Sequence, residues 1–463
     1  MNKNDQEGLS PIPAGAVPIR FTRSNREARL PLLMFVAAGR DATRLLMPLL
    51  LFVIVLTVAT PAHHAQSVSA LIQVPVGYFY VNTPAIGDLN GDGQLDIIVS
   101  ASGVHPRIFS MSMSGLITAV ASDGSILPGW PVLTDEDVAM LPPTPAIVAD
   151  VDGSGWPEVI CGHGRTLYVF SANGRLIWKQ RIEGYFKRRP EVADLNHDGR
   201  LEIIASADYF LGQARIYAWH SNGKPLANTP IFIDEYFASS PSVYRQHEET
   251  LIAIGGGNGY ADQAGTLYLF AYEQGQFRQR WIHRIGQHPI CKPVFADLDA
   301  DGEIDVLGGT YAPLVYALRA SDGTFLPGWP RSVAGSVFTS PAVYQDTFRT
   351  IVVAVALTGT IYAWNERGQL QWQQQIDPNA IEQITLADVD AAADNMPEVL
   401  LGINGGISAF GILDGRPVKK WDLTNHWVTG ALQAQLQPSS APNLILGGVD
   451  NRTERAKLFI LQN

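Results

Sequence analysis

Asp194, Asn196, Asp198 and Glu202, in the stretch "DLNHDGRLE", place oxygen side chains at positions 1, 3, 5 and 9 of a nine-residue loop with glycine at position 6. The same spacing returns as "DLNGDGQLD" at 88 and "DLDADGEID" at 297. With a backbone carbonyl at position 7, such a loop can wrap one hard cation in several oxygens, and the glycine permits the turn. The ligands would be Asp88, Asn90, Asp92 and Asp96 with the carbonyl of Gln94 in the first loop. In the second they are Asp194, Asn196, Asp198 and Glu202 with the carbonyl of Arg200, and in the third Asp297, Asp299, Asp301 and Asp305 with that of Glu303. Oxygen donors without histidine or cysteine select calcium over zinc or copper. The competing reading is a solvated turn whose aspartates cap their own backbone, but three carboxylates in nine residues repel one another when no cation is present.

Two further stretches are weaker versions. "DVDGSGWPE" offers Asp150, Asp152, Ser154 and Glu158 with Pro157 near its end, and "DVDAAADNMPE", two residues longer, offers Asp388, Asp390, Asp394 and Glu398. The equivalent segments "YRQHEET", "YQDTFRT" and "QPSSAPN" carry no such set. Catalysis is the poorest use of these carboxylates. A general acid–base pair needs two groups in different environments at one site, whereas these lie in separate units with similar surroundings. No triad, phosphate loop or zinc set is recognisable, so no catalytic residue is expected.

The loops belong to a repeated unit. A proline-led strand precedes each ("TPAIGD" at 83, "RPEVAD" at 189, "KPVFAD" at 292), and a short apolar strand follows ("DIIVS", "EIIAS", "DVLGG"). A hairpin with a turn glycine completes the unit, its second arm often carrying tryptophan at 130, 178, 281, 329, 372 or 421. Those tryptophans stand four or six residues beyond the glycine, which puts them on one face of a period-two strand as anchors between sheets. Eight such units predict an all-β, eight-bladed β-propeller of four-stranded antiparallel blades. The last unit ends at "KLFILQN" one strand short, and "ALIQVPV" at 70–76 is expected to supply it, closing the ring.

The pattern "DLNGDGQLDIIVS" with its flanking "TPAIGD" resembles the FG-GAP or VCBS repeat of integrin alpha-chain propellers and many secreted bacterial proteins. The resemblance covers nearly all of residues 71–463 and implies the propeller, with calcium in loops between the first and second strands of a blade. It implies little about activity. The arm "DGTFLPGWP" also resembles eight-bladed quinoprotein and outer-membrane assembly propellers.

The rest of the chain sets the setting. The formal net charge is −11, and residues 1–65 carry seven basic and four acidic side chains, which leaves the body near −14. That excludes a broad nucleic-acid surface. Residues 1–44 read as a basic leader, 45–60 ("LLMPLLLFVIVLTVAT") as a signal-peptide core or single membrane anchor, 61–70 as a linker and 71–463 as the propeller. The positive flank puts the N-terminus inside and the body outside the cytoplasm. A start at Met34 would give a leader of more ordinary length. Cys161 and Cys291 read as small buried hydrophobes, not a disulfide.

On the face opposite the acidic loops an aromatic pair recurs: Tyr78 and Phe79, Tyr185 and Phe186, Tyr236 and Phe237, joined by His288 and Trp427. These rings are candidates for contact with a sugar or peptide, unless one ring of each pair packs between blades. The insertions at 102–115 and 133–144 are further places for a partner. The reading that follows is an exported calcium-binding propeller that binds an unknown protein or glycan, as an adhesion or scaffold module. Its alternative is a calcium-dependent polysaccharide-active, lyase-like enzyme.

Overall fold

A computed structural model describes residues 71–462 apart from 104–113, 135–141, 210–211, 247–248, 259–264, 287, 290, 378–382, 391–395 and 439. The leader, the apolar segment 45–60, the linker and most of both insertions therefore lie outside the described residues. Among the described residues no helix occurs, and none is long and apolar enough to cross a membrane.

Eight blades of four antiparallel strands form a ring. Their inner strands are Ala85–Gly87, Ile147–Ala149, Glu191–Ala193, Ser242–Gln246, Val294–Ala296, Ala342–Gln345, Ile384–Ala387 and Leu432–Ala434, in blades 1 to 8. Each second strand is an apolar run buried along its length, as in Glu202–Ala207 and Asp305–Gly309, because both its faces meet neighbouring blades. The core is accordingly eight clusters, one at each junction. One packs Ile98 and Ile117 of blade 1 on Val159 and Tyr168 of blade 2, and another packs Val74 and Val99 on Ile445 and Leu458 where blade 8 meets blade 1.

The ring closes as the sequence predicts. Strand Leu71–Val81 runs antiparallel to Arg455–Gln462, Leu71 facing Leu461 and Val74 facing Leu458, and supplies the outer strand of blade 8. Its far end then pairs with blade 1, Tyr78 facing Ser102. Tyr78 and Phe79 thus sit in this closing strand and not in a loop.

The tryptophans join blade to blade. Their indole Nε1 groups donate to a carbonyl in the next blade: Trp130 to Ala172 (3.0 Å), Trp178 to Ser221 (2.7 Å), Trp281 to Ala320 (2.7 Å), Trp329 to Glu366 (2.9 Å) and Trp372 to Ile412 (2.9 Å). The turn glycine and the tryptophan explain each other. At Gly223 (φ 81°) an added Cβ would stand 2.8 Å from the Trp178 ring, and at Gly415 (φ 67°) 2.4 Å from the Trp372 ring. Only glycine both adopts that backbone and leaves room for the ring. One expectation needs correction: Trp130 and Trp329 precede the outer strands Val132–Thr134 and Arg331–Ser332 and do not lie within them. Cys161 and Cys291 are free and buried, and burial lifts their thiols to about 12 and about 11.

Candidate metal centres

Each acidic loop joins an inner strand to its second strand, so all five emerge at the same end of their blades. The position-1 aspartate sits at the middle of the turn and accepts two backbone N–H groups. Asp88 takes Gly91 (2.7 Å) and Gly93 (2.9 Å), Asp194 takes Asp198 and Gly199 (both 3.1 Å), and Asp297 takes Asp301 (3.2 Å) and Gly302 (3.0 Å). Position-3 and position-5 side chains cap the amide two residues on, as Asn90 does for Asp92 (2.8 Å) and Asp92 for Gln94 (2.8 Å). The position-6 glycines have φ of 77° at Gly93 and 89° at Gly302, with open space where a Cβ would stand, so backbone conformation alone demands glycine there.

Position 9 differs from the others. It opens the second strand and is buried: Asp96 and Asp305 are 0% exposed, Glu202 1%, and Glu158 and Glu398 4%. One oxygen accepts the position-2 N–H in every loop, from Leu89 (2.9 Å), Val151 (2.9 Å), Leu195 (3.0 Å), Leu298 (3.0 Å) and Val389 (2.8 Å). The other oxygen, Oδ1, of Asp96 and of Asp305 is buried without a partner, as is Oδ1 of Asp299. A buried acceptor with nothing to accept is costly. Burial, aided by the neighbouring aspartates, pushes Asp305 and Glu158 up to about 7 and raises Asp96 and Glu398. Such carboxylates require either a proton or a cation.

Three loops bring carboxylate oxygens within 4.8 Å of one another: Asp150, Asp152 and Glu158; Asp297, Asp299 and Asp305; and Asp388, Asp390 and Glu398. Two of these are the loops whose sequences depart from the nine-residue pattern. Proline 157 and the longer turn leave positions 1, 3 and 9 in place, because the two strands that flank the loop fix its ends. Asp394 lies outside the described residues. In the loops at 88 and 194, asparagine stands at position 3.

The sequence reading overlooked the residue that faces position 9 across the second and third strands. In blade 5 Arg319 pairs in register with Asp305 and holds Asp301 (Nη1 to Oδ2, 2.7 Å) and Asp299 (Nη2 to Oδ2, 3.2 Å). In blade 3 His220 Nδ1 lies 3.1 Å from Glu202 Oε1, which also accepts from Asn196 (3.0 Å). In blade 7 Gly411 faces Glu398, and the basic group comes instead from the outer strand Pro417–Asp422: Lys419 Nζ lies 3.4 Å from the carbonyl of Val389, and the nearby Asp390 and Glu398 oppose the desolvation that lowers its pKa. A nitrogen-bearing side chain of the protein's own thus attends three loops. The available signal was a basic residue three or four positions before the turn glycines Gly223 and Gly323.

On the opposite face the aromatic candidates separate. Phe186 is fully buried in the junction between blades 2 and 3, against Gly162. His288 is buried too, 4% exposed, and burial, with Arg188 nearby, lowers it to about 4. Neither presents a ring to solvent. Tyr236 is 45% exposed, Tyr185, Phe237 and Trp427 are half-buried, and Trp427 lies 6.3 Å from Tyr80, ring to ring.

Residues 80–106 match the FG-GAP repeat family. That span holds the inner strand, acidic loop and second strand of blade 1. The chain is a β-propeller that carries an FG-GAP repeat in its first blade. The fold is similar to Chaetomium thermophilum Sqt1 solved with the N-terminus of ribosomal protein L10, at 11% identity over 85% of this chain and 100% of that one, TM-score 0.57. It is also similar to the quinohemoprotein alcohol dehydrogenase of Comamonas testosteroni (12%, 86% and 78%, 0.56) and to a europium-containing methanol dehydrogenase (9%, 85% and 93%, 0.56). At such identities the likeness is one of fold alone, and these propellers serve different ends. No curated protein matches the chain.

Proposed function

We propose that this propeller is an exported calcium-binding module that binds a protein or glycan, as an adhesion or scaffold unit, and carries out no catalysis. The observation that carries the calcium reading is the pair of buried, partnerless oxygens of Asp96 and Asp305, each in a loop of oxygen donors. A hard cation is the group that such a donor set accommodates. Calcium would tie each inner strand to its second strand through the loop and neutralise carboxylates that otherwise repel. An extracytoplasmic place for the body fits millimolar calcium and the positive flank before segment 45–60.

The binding role is supported by a cavity of 610 Å³ between blades 1 and 2 beside the loop at 150. Trp156, 52% exposed, stands in it with Ile177, Asn173 and Arg175, a mixture of ring, apolar surface and polar groups suited to a sugar or a peptide side chain. Calorimetric titration of the full chain with calcium, alongside thermal unfolding in calcium and in chelator, tests the reading. Saturable binding at three or more sites with a raised melting temperature is expected. Absence of both would refute the metal-loop assignment.

A further inference from the structure

Charge in this acidic chain collects unexpectedly at its axis. Arg189 lies two residues before the inner strand of blade 3, at the end of that strand remote from its acidic loop. It faces a cavity of 390 Å³ whose walls come from five blades, among them Tyr80 and Thr83 of the closing segment and blade 1, Pro145 of blade 2, Phe338 of blade 6 and Gln383 of blade 7. Residues so distant in sequence meet only where inner strands surround the central channel.

The guanidinium is exposed to the channel lumen, yet the surrounding walls desolvate it enough to lower its pKa below that of an ordinary arginine. Among the described residues it makes no hydrogen bond and no ion pair. The nearby carboxylate, Glu191, is engaged by Lys292, whose ammonium crosses from blade 5 to blade 3 to reach it. Arg189, Lys292 and Glu191 together leave one positive charge. An arginine cannot shed its proton, and one that faces a cavity without a partner has its donors available to an anion. Its planar fork matches a carboxylate in bidentate fashion. Phe338, 38% exposed, and Tyr80 provide aromatic walls, while the Thr83 hydroxyl and Gln383 amide add neutral polar groups. The volume falls in the range of small-ligand pockets.

We propose that the channel mouth opposite the acidic loops binds a ring-bearing organic monocarboxylate, its carboxylate on Arg189 and its ring between Tyr80 and Phe338. The site does not depend on the calcium reading, since no acidic-loop residue lines it. The single net charge suits one carboxylate better than a phosphate or a polyanion.

The test is titration of the full chain, in calcium, with phenylacetate and with glucuronate, followed by calorimetry. Phenylacetamide and methyl glucoside serve as uncharged counterparts, and Arg189→Gln and Arg189→Lys as variants. Saturable binding of at least one acid is expected, weakened tenfold or more by Arg189→Gln, less by Arg189→Lys, and absent for the matching neutral compound. Which acid binds tells an aryl acid from a sugar acid. A ligand-free readout keeps the idea exposed: removing a partnerless cation should leave the melting temperature of Arg189→Gln equal to or above wild type. Failure of both acids to bind, equal binding by the neutral compounds or by Arg189→Gln, or a lowered melting temperature for that variant would each overturn the proposal.

Discussion

Asp305→Asn should move stability in opposite directions with and without calcium. Asp305 is fully buried, its Oδ2 accepts the Leu298 N–H, and its Oδ1 has no partner. Burial chiefly, with Asp299 and Asp301 adding repulsion, lifts its pKa from 3.8 to about 7. The folded, cation-free protein therefore keeps a proton on Asp305 that the unfolded chain releases near pH 4. Stability without cation falls as pH rises from about 4 to about 7, and the full cost is present above that window. Three units at about 1.4 kcal/mol each set an upper figure of roughly 4 kcal/mol, and relaxation and water entry reduce it to about 1–3. Asparagine has the same shape, no charge, an oxygen for Leu298 and an amide that can donate to an aspartate. In chelator at pH 8 the variant should thus be more stable than wild type by about 1–3 kcal/mol, and at pH 4 the difference should vanish. In millimolar calcium the order should reverse, because the variant lacks a charged ligand. Urea unfolding followed by tryptophan fluorescence in the three buffers measures this. Equal destabilisation in chelator and in calcium would refute the reasoning and leave Asp305 as a cap for its own turn.

Arg319→Gln should tighten calcium at the blade 5 loop by a few-fold, since the guanidinium holds Asp299 and Asp301; calorimetry that shows weaker or unchanged binding contradicts the competition. Trp372→Phe removes an indole donor from the Ile412 carbonyl in a buried junction. A loss of about 1–3 kcal/mol in urea unfolding is expected, and a change within error would mean the junction does not depend on that bond. Deleting residues 1–76 bares most of the edge of Arg455–Gln462. Light scattering should then detect aggregation at concentrations where the full propeller stays monodisperse, and an unaltered profile would speak against ring closure by this strand.

Much of this protein was legible before any coordinates. Blade count, strand order and the closing strand follow from local rules, because side-chain alternation and turn chemistry repeat within each fifty-odd residues and the odd strand at each end has one place to go. The loop at 297 could be read the same way: its oxygens lie within nine residues, and position 6 needs glycine whatever surrounds it. Where the pattern was broken, at 150 and 388, loop sequence did not say that the acidic groups still converge. The flanking strands, and not the intervening residues, bring Asp150 to Glu158 and Asp388 to Glu398.

Tertiary structure alone decided three things. It set Arg319 and His220 against position 9, since cross-strand register depends on hairpin geometry that spacing does not state. It buried Phe186 and His288 while leaving Tyr236 outside, because a period-two start to a strand does not say which face meets the next blade. And it gathered Arg189, Phe338 and Gln383 around one channel. Their separations in sequence, like the 101 residues between Glu191 and Lys292, are spanned only when the circle closes. A local code can specify each blade, but the axis belongs to the ring.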